Sequence, residues 1–125
     1  PMVPQISFTC VDVRDVAEAH LRALQRPETA GRRIPCTAGL MSMPDMGRVL
    51  KAAYPARKIP TRIAPRFVLR LLALFDPDIR AILPSLGQQF HVSNARARKD
   101  LEMKFISPEG ALRASAEWLA ANGKV

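Results

Sequence analysis

The stretch Val11-Asp-Val-Arg-Asp-Val-Ala-Glu-Ala-His-Leu-Arg-Ala-Leu-Gln25 decides the fold, because it joins a short apolar run to an amphipathic helix. Asp12 is a typical helix N-cap, and Asp15 places a second carboxylate near the positive end of the helix. Pro27 lacks the N–H that a continuing helix needs, so the helix ends before it. Apolar and small residues recur at helical spacing, and one face of the predicted helix carries Val13, Val16, Ala17, His20, Leu21 and Leu24.

Three segments carry strand patterns. Residues 6–11 alternate apolar and polar side chains, and residues 88–92 do the same. Residues 33–39 read as a short strand, and Pro35 within them favours a sheet edge. The sequence therefore predicts two or three short strands.

Caps and prolines mark five further helices. Their predicted starts are Ser42 with Pro44, Arg66 after Pro65, Asp78 after Pro77, Asn94 capped by Ser93, and Pro108 capped by Ser107. The helix of residues 66–75 is apolar nearly all round, which is typical of a central helix or of one pressed against another surface. The fold class is α+β and mainly helical, with five or six helices, and residues 1–125 form a single domain.

Composition excludes several classes of protein. The 125 residues are 48% hydrophobic and 24% charged, which is typical of a globular chain. No apolar run reaches the roughly 20 residues that span a bilayer, and no signal peptide is visible, so we expect a cytoplasmic protein without a membrane partner. Cys10 and Cys36 stand far apart without further ligands, which favours reduced thiols over a metal site or a disulfide framework.

The net charge of +8 is spread along the chain. Residues 1–62 hold 10 basic and 5 acidic side chains, and residues 63–125 hold 9 and 6. This distribution favours a solvated basic surface over nucleic-acid binding. A basic helical module that binds nucleic acid, or an interaction module that uses residues 67–75, remains the alternative.

Four segments in this order resemble the C-terminal part of the extended short-chain dehydrogenase/reductase superfamily. These are NAD-dependent epimerase/dehydratases, and the dihydroflavonol-reductase-like branch is the most similar. The segments are residues 11–20, residues 30–45, Phe90-His-Val-Ser-Asn-Ala-Arg-Ala-Arg98 with Leu101, and Ser107-Pro-Glu-Gly-Ala-Leu-Arg113.

The resemblance implies a substrate-binding fragment that is catalytically incomplete on its own and lacks most of the Rossmann domain. The family's Gly-rich cofactor turn has no counterpart among the six glycines, the closest of which are eight positions apart. NAD or NADP would bind the missing N-terminal nucleotide-binding domain, and the substrate would be a small organic or sugar-like molecule. By rough correspondence with the family, Ser7, Phe8, Gln88 and Gln89 line the substrate pocket.

The family's catalytic pair is a Tyr with a Lys four positions later. Tyr54 and Lys58 have this spacing, but Pro55 pushes Tyr54 out of helical geometry, so the two side chains do not share a helix face. We therefore predict no catalytic, cofactor-binding or metal-binding residue in this chain, and whether it acts as an enzyme stays open.

The other chemically capable residues have structural explanations. His20 is predicted to pack on the apolar helix face, and His91 to be exposed. Capping accounts for Asp12 and Asp15, and a turn accounts for Asp76 and Asp78. Met41, Met43 and Met46 are typical of core filling.

A missing domain has a physical consequence. The helix of residues 13–24 and the strand near Ile34 would lose part of their cover and expose an apolar patch. We expect such a chain to form a homodimer.

Overall fold

A computed structural model of the chain describes residues 2–124, and six α-helices and four short strands lie within that range. The helices are α1 (Val13–Leu24), α2 (Met43–Ala53), α3 (Arg66–Leu72), α4 (Pro77–Ile82), α5 (Ala95–Asp100) and α6 (Pro108–Ala121). The strands are β1 (Met2–Val3), β2 (Ser7–Cys10), β3 (Gly39–Ser42) and β4 (Arg62–Ile63). The mainly helical α+β class is confirmed, with one strand more than predicted.

Side-chain caps begin the helices where the sequence predicted them. Asp12 accepts a hydrogen bond from the backbone N–H of Arg14, Ser42 from that of Asp45, and Ser107 from that of Gly110. Each bond satisfies a backbone donor that has no partner within the helix. These three caps fix the entry of the chain into α1, α2 and α6.

Two predicted strands are wrong. The described backbone at residues 33–38 and at residues 88–92 forms no strand, and β3 begins only at Gly39. Alternation within a segment does not supply the neighbouring strand that a ladder needs. The sequence reasoning instead missed β1, which pairs in parallel with β4 through Met2 opposite Arg62 and Val3 opposite Ile63.

The described residues group into two compact units. Unit 1 contains the residues up to Phe8 together with Met41–Phe90, and unit 2 contains Thr9–Leu40 together with residues 91–124. The core of unit 1 is formed by Ile6, Ala64, Leu69 and Leu86. The core of unit 2 is formed by Ala19, Ala97, Leu101 and Met103.

The apolar face of α1 is largely exposed. Val13 is 78% exposed and Leu24 is 84% exposed, whereas the buried residues of α1 are Asp15 and Ala19. A small side chain and a hydrogen-bonded carboxylate thus pack inward, and the apolar stripe remains in solvent. This exposure agrees with the predicted loss of cover on α1.

Candidate functional site

A surface cavity of about 470 Å³ lies beside α3 in unit 1. Its lining is mainly polar and consists of Arg66, Arg70, Leu83, Pro84, Leu86, Gly87 and Gln88. These residues come from α3 and from the segment that follows α4. The cavity is large enough for a small organic molecule.

The helical period of α3 places both arginines on the cavity. Arg66 and Arg70 are four positions apart and therefore share a helix face. Leu69 and Ala73 each follow one of these arginines by three positions and are buried, at 6% and 4% exposure, and Leu69 belongs to the core of unit 1. Their burial sets the rotation of α3 and leaves the exposed Arg66 and Arg70 beside the buried flank, on the cavity.

Backbone hydrogen bonds shape the wall opposite α3. The N–H of Gly87 donates to the carbonyl of Gln5 at 2.8 Å, and Nη2 of Arg66 donates to the carbonyl of Leu86 at 2.7 Å. Gly87 has a φ of +76°, and a Cβ there would lie 3.1 Å from Nη2 of Arg66. Glycine therefore permits both the turn and the approach of the guanidinium group.

The cavity presents positive charge without a counter-charge. No Asp or Glu is among the described residues that line it, and the side chain of Arg70 forms no hydrogen bond or ion pair with any residue in 2–124. Arg66 uses Nη2 on Leu86 and retains its other N–H donors. Chemically, this arrangement suits a ligand that accepts hydrogen bonds.

The four predicted pocket residues all fall in unit 1. Gln88 lines the cavity, whereas Ser7, Phe8 and Gln89 are not among the described residues of its lining. Ser7 and Phe8 lie on β2, two and three positions after the residue whose carbonyl accepts from Gly87. The sequence reasoning missed Arg66 and Arg70, which their i, i+4 spacing just after Pro65 could have revealed.

A second, mainly apolar groove of about 570 Å³ lies in unit 2 between the start of α1 and α6. Its lining is Val11, Asp12, Val13, Arg14, Ala111, Ala114, Ser115, Trp118 and Leu119. Trp118 is 60% exposed and Leu119 is 36% exposed. The groove leaves large apolar side chains in water.

An ion pair borders this groove. Asp12 accepts hydrogen bonds from Nε and Nη2 of Arg14 at 2.9 and 2.8 Å. These side-chain bonds, with the bond from the Arg14 backbone N–H, lower the pKa of Asp12 to about 2. Asp15 is buried and accepts from the backbone N–H of Ile106 at 2.8 Å. Both carboxylates are therefore occupied by structural bonds.

The positions of the remaining candidate residues do not indicate a catalytic role. Tyr54 follows the last residue of α2 with φ −129° and ψ 69°, and Lys58 lies outside any helix, so they do not form a pair on one helix. His20 is exposed, contrary to the prediction that it packs, and its Nδ1 lies 2.7 Å from the carbonyl of Val16. Burial raises the pKa of the Cys36 thiol, which disfavours the reactive thiolate.

Residues 2–124 contain neither a metal-binding cluster nor a membrane-spanning helix. No group of three His, Cys, Asp or Glu side chains is placed to hold a metal ion. No helix in that part of the chain combines the length and apolarity needed to cross a bilayer.

The fold matches part of the fold of two solved reductases. The chain matches yeast methylglyoxal/isovaleraldehyde reductase Gre2, solved with NADPH, with a TM-score of 0.68 and 24% identity over 100% of this chain and 33% of that one. It also matches Gre2 of Candida albicans, solved with NADPH, with a TM-score of 0.66 and 21% identity over 97% of this chain and 32% of that one. No protein-family profile matches the chain.

Sequence similarity points to the same class. The chain is 42% identical to the ketoreductase azaE of Aspergillus niger over 100 residues, which are 80% of this chain and 25% of that protein. It is 38% identical to the NADPH-dependent methylglyoxal reductase GRE2 of Saccharomyces cerevisiae over 56 residues, which are 45% of this chain and 16% of that protein. The chain thus matches part of extended short-chain dehydrogenase/reductases and spans at most about a third of their length.

Proposed function

We propose that this chain supplies the substrate-binding part of an NADP(H)-dependent carbonyl reductase of the extended short-chain class. The 42% identity to a ketoreductase carries the proposal, because it extends over 80% of this chain and only a quarter of that protein. The remainder of such a protein would supply the nucleotide-binding domain and the catalytic Tyr and Lys. In the whole protein, hydride would pass from the nicotinamide to the carbonyl carbon of a small organic substrate.

The residues of this chain support a role in substrate binding and not in cofactor binding or catalysis. The sequence contains no Gly-rich phosphate-binding turn, and Tyr54 and Lys58 do not share a helix. The cavity of unit 1, by contrast, offers polar donors beside an apolar wall, which is typical of a small-molecule site. The residues 1–125 therefore act as one substrate-binding fragment that positions the carbonyl compound.

Gln88 is the proposed cavity contact with the substrate. Ser7, Phe8 and Gln89 complete the proposed pocket, because the bond between Gly87 and Gln5 ties the segment before β2 to the turn before Gln88. The Gln88 amide can both donate to and accept from a substrate oxygen or hydroxyl.

The test compares the product of the full reading frame with the 125-residue chain. We expect the full product to be longer, to bind NADPH and to oxidise it when methylglyoxal is added, and the 125-residue chain to do neither. In the full product, Gln88→Ala should raise KM about fivefold, the effect of one hydrogen bond worth about 1 kcal/mol. Gln25→Ala, which alters an exposed glutamine after α1, is the matched control and should leave KM unchanged. NADPH oxidation by the 125-residue chain alone would overturn the proposal.

The nucleotide-binding domain is also the proposed cover of the groove in unit 2. Trp118, Leu119 and Val13 expose apolar surface that association would bury. In the isolated chain we propose that a second copy takes this place and forms a homodimer. Sedimentation should show a dimer that Trp118→Glu dissociates and that Phe75→Glu, at an 84% exposed position of unit 1, leaves intact. A chain that stays monomeric as its concentration is raised would contradict the dimer.

The proposal places the protein in the cytoplasm, where NADPH-dependent reduction would be supported and thiols stay reduced. Cys36 is a reduced thiol in the structure, which is compatible with a reducing compartment.

A second candidate function is a protein-interaction surface on α3 and the turn after it. Phe67 is 72% exposed, Leu71 is 62% exposed and Phe75 is 84% exposed.

Exposed apolar side chains flanked by arginines are also compatible with nucleic-acid binding. Retention of the chain on single-stranded DNA that falls steeply with salt would favour the nucleic-acid reading, and we expect no such retention.

A further inference from the structure

The residues that line the cavity of unit 1 also indicate the charge of its ligand. We propose that Arg66, Arg70 and Gln88 form an oxyanion-binding site that takes a carboxylate or phosphate group of a small molecule. Binding of the anion is a property of this chain and does not depend on the proposed function. The further inference that this anionic group belongs to the substrate rests on the proposed function.

The first argument is geometric. Arg66 and Arg70 are separated by one helical turn of α3 and both line the cavity, so their guanidinium groups serve one space. Nη2 of Arg66 is held by the carbonyl of Leu86 at 2.7 Å, which fixes that side chain before a ligand arrives. Guanidinium groups donate two parallel hydrogen bonds to a carboxylate or phosphate.

The second argument is electrostatic. No carboxylate is among the described residues of the lining, and the side chain of Arg70 has no hydrogen-bond or ion-pair partner within residues 2–124. Unit 1 as a whole holds eight basic side chains and three acidic ones in its described part. An arriving anion therefore meets attractive charge and no competing carboxylate in the cavity.

The third argument concerns the opposite wall. Gly87 has a φ of +76° and lies so close to Arg66 that a Cβ would come within 3.1 Å of Nη2. A side chain at this position would be strained and would crowd the guanidinium group. The turn thus leaves the donor accessible and places the Gln88 amide beside it.

The experiment is an NMR titration of the 125-residue chain with sodium phosphate and, separately, with sodium acetate, both at constant ionic strength. We expect saturable shifts of the Gly87 and Gln88 amides in the millimolar range. Saturation by either anion supports the site, and the anion that binds more tightly identifies its chemistry. Saturation by neither anion overturns the inference.

Two matched variants separate this site from general attraction to a basic protein. Arg70→Gln should weaken binding about fivefold, the upper range for one exposed charge pair. Arg62→Gln removes an equal charge from β4 of the same unit, outside the cavity lining, and should leave binding unchanged. Equal weakening by both variants would overturn the site, provided that both keep the circular dichroism of the parent chain.

The outcomes remain separable from those of the proposed function. If the full reading-frame product reduces carbonyls with NADPH and the chain binds neither anion, only the oxyanion site fails. If the chain binds phosphate or acetate and the full product has no reductase activity, only the proposed function fails.

Discussion

The charged side chains of unit 2 are used differently from those of the unit 1 cavity. In unit 2, cations are tied to the backbone of distant segments: Arg22 donates to the carbonyls of Leu101 and Glu102, and Arg26 donates to that of Asp100 at 2.5 Å. In unit 1, Arg66 has one backbone partner and Arg70 has none among the described residues. The polar groups of unit 2 hold its fold together, whereas those of the unit 1 cavity remain available to a ligand.

The two units also differ in how far they bury their apolar side chains. The core of unit 2 includes Leu101 at 2% exposure, next to the segment that the arginines hold. In unit 1, α3 buries Leu69 but leaves Phe67 and Leu71 in solvent. The comparison teaches that a short helix can be fixed through one buried residue while most of its apolar side chains stay exposed.

The largest expected effect comes from truncating the core of unit 2. Leu101→Ala should lower the free energy of unfolding by about 3 kcal/mol, because it removes a fully buried side chain and leaves a cavity. Leu71→Ala, at a 62% exposed position of α3, should cost less than about 0.5 kcal/mol. Urea unfolding monitored by circular dichroism measures both. Equal costs would break the distinction between buried and exposed leucines.

A smaller effect is expected at the buried carboxylate of α1. Asp15→Ala leaves the backbone N–H of Ile106 without its acceptor and should cost about 2 kcal/mol. Asp15→Asn keeps an acceptor oxygen and should recover part of that loss. Urea unfolding of the two variants side by side measures the difference. If Asp15→Asn proved as costly as Asp15→Ala, the hydrogen bond to Ile106 would not be the main role of Asp15.

The smallest effect on stability is expected from lowering the pH. Because the folded pKa of Asp12 is about 2 and its ordinary value is 3.8, its ion pair with Arg14 stabilises α1 above about pH 4. That contribution is lost as the pH falls from about 4 to 2. The carboxyl carbon of Asp12, followed by NMR, should titrate near pH 2. Asp12→Asn should remove this part of the acid dependence of unfolding, and an Asp12 titration near pH 4 would contradict the assigned bonds.

The local features of the fold were largely predictable. Asp12, Ser42 and Ser107 fixed helix starts because an N-cap acts within three residues of itself. The parallel pairing of β1 with β4 was not predictable in this way, since its two strands are separated by about 60 residues of chain and are only two residues long.

The side chains that α1 buries could not be predicted from its periodicity, for a different reason. Hydrophobic periodicity shows which face of a helix favours burial, and it does not show whether the covering surface is present. Val13 and Leu24 are exposed because this chain packs against α1 through Ala19 and Asp15. The cavity was only partly foreseen: Gln88 was named from the resemblance, while Arg66 and Arg70 emerged once the core position of Leu69 fixed the rotation of α3.

The central claim is that the α1–α6 groove of unit 2 is built to be covered by a further domain. Oxidative footprinting with mass spectrometry tests it directly, by comparing the modification of Trp118 in the dilute 125-residue chain and in the product of the full reading frame. The account predicts strong modification in the isolated chain, where Trp118 is 60% exposed, and marked protection in the longer protein. Equal modification in both proteins would contradict it.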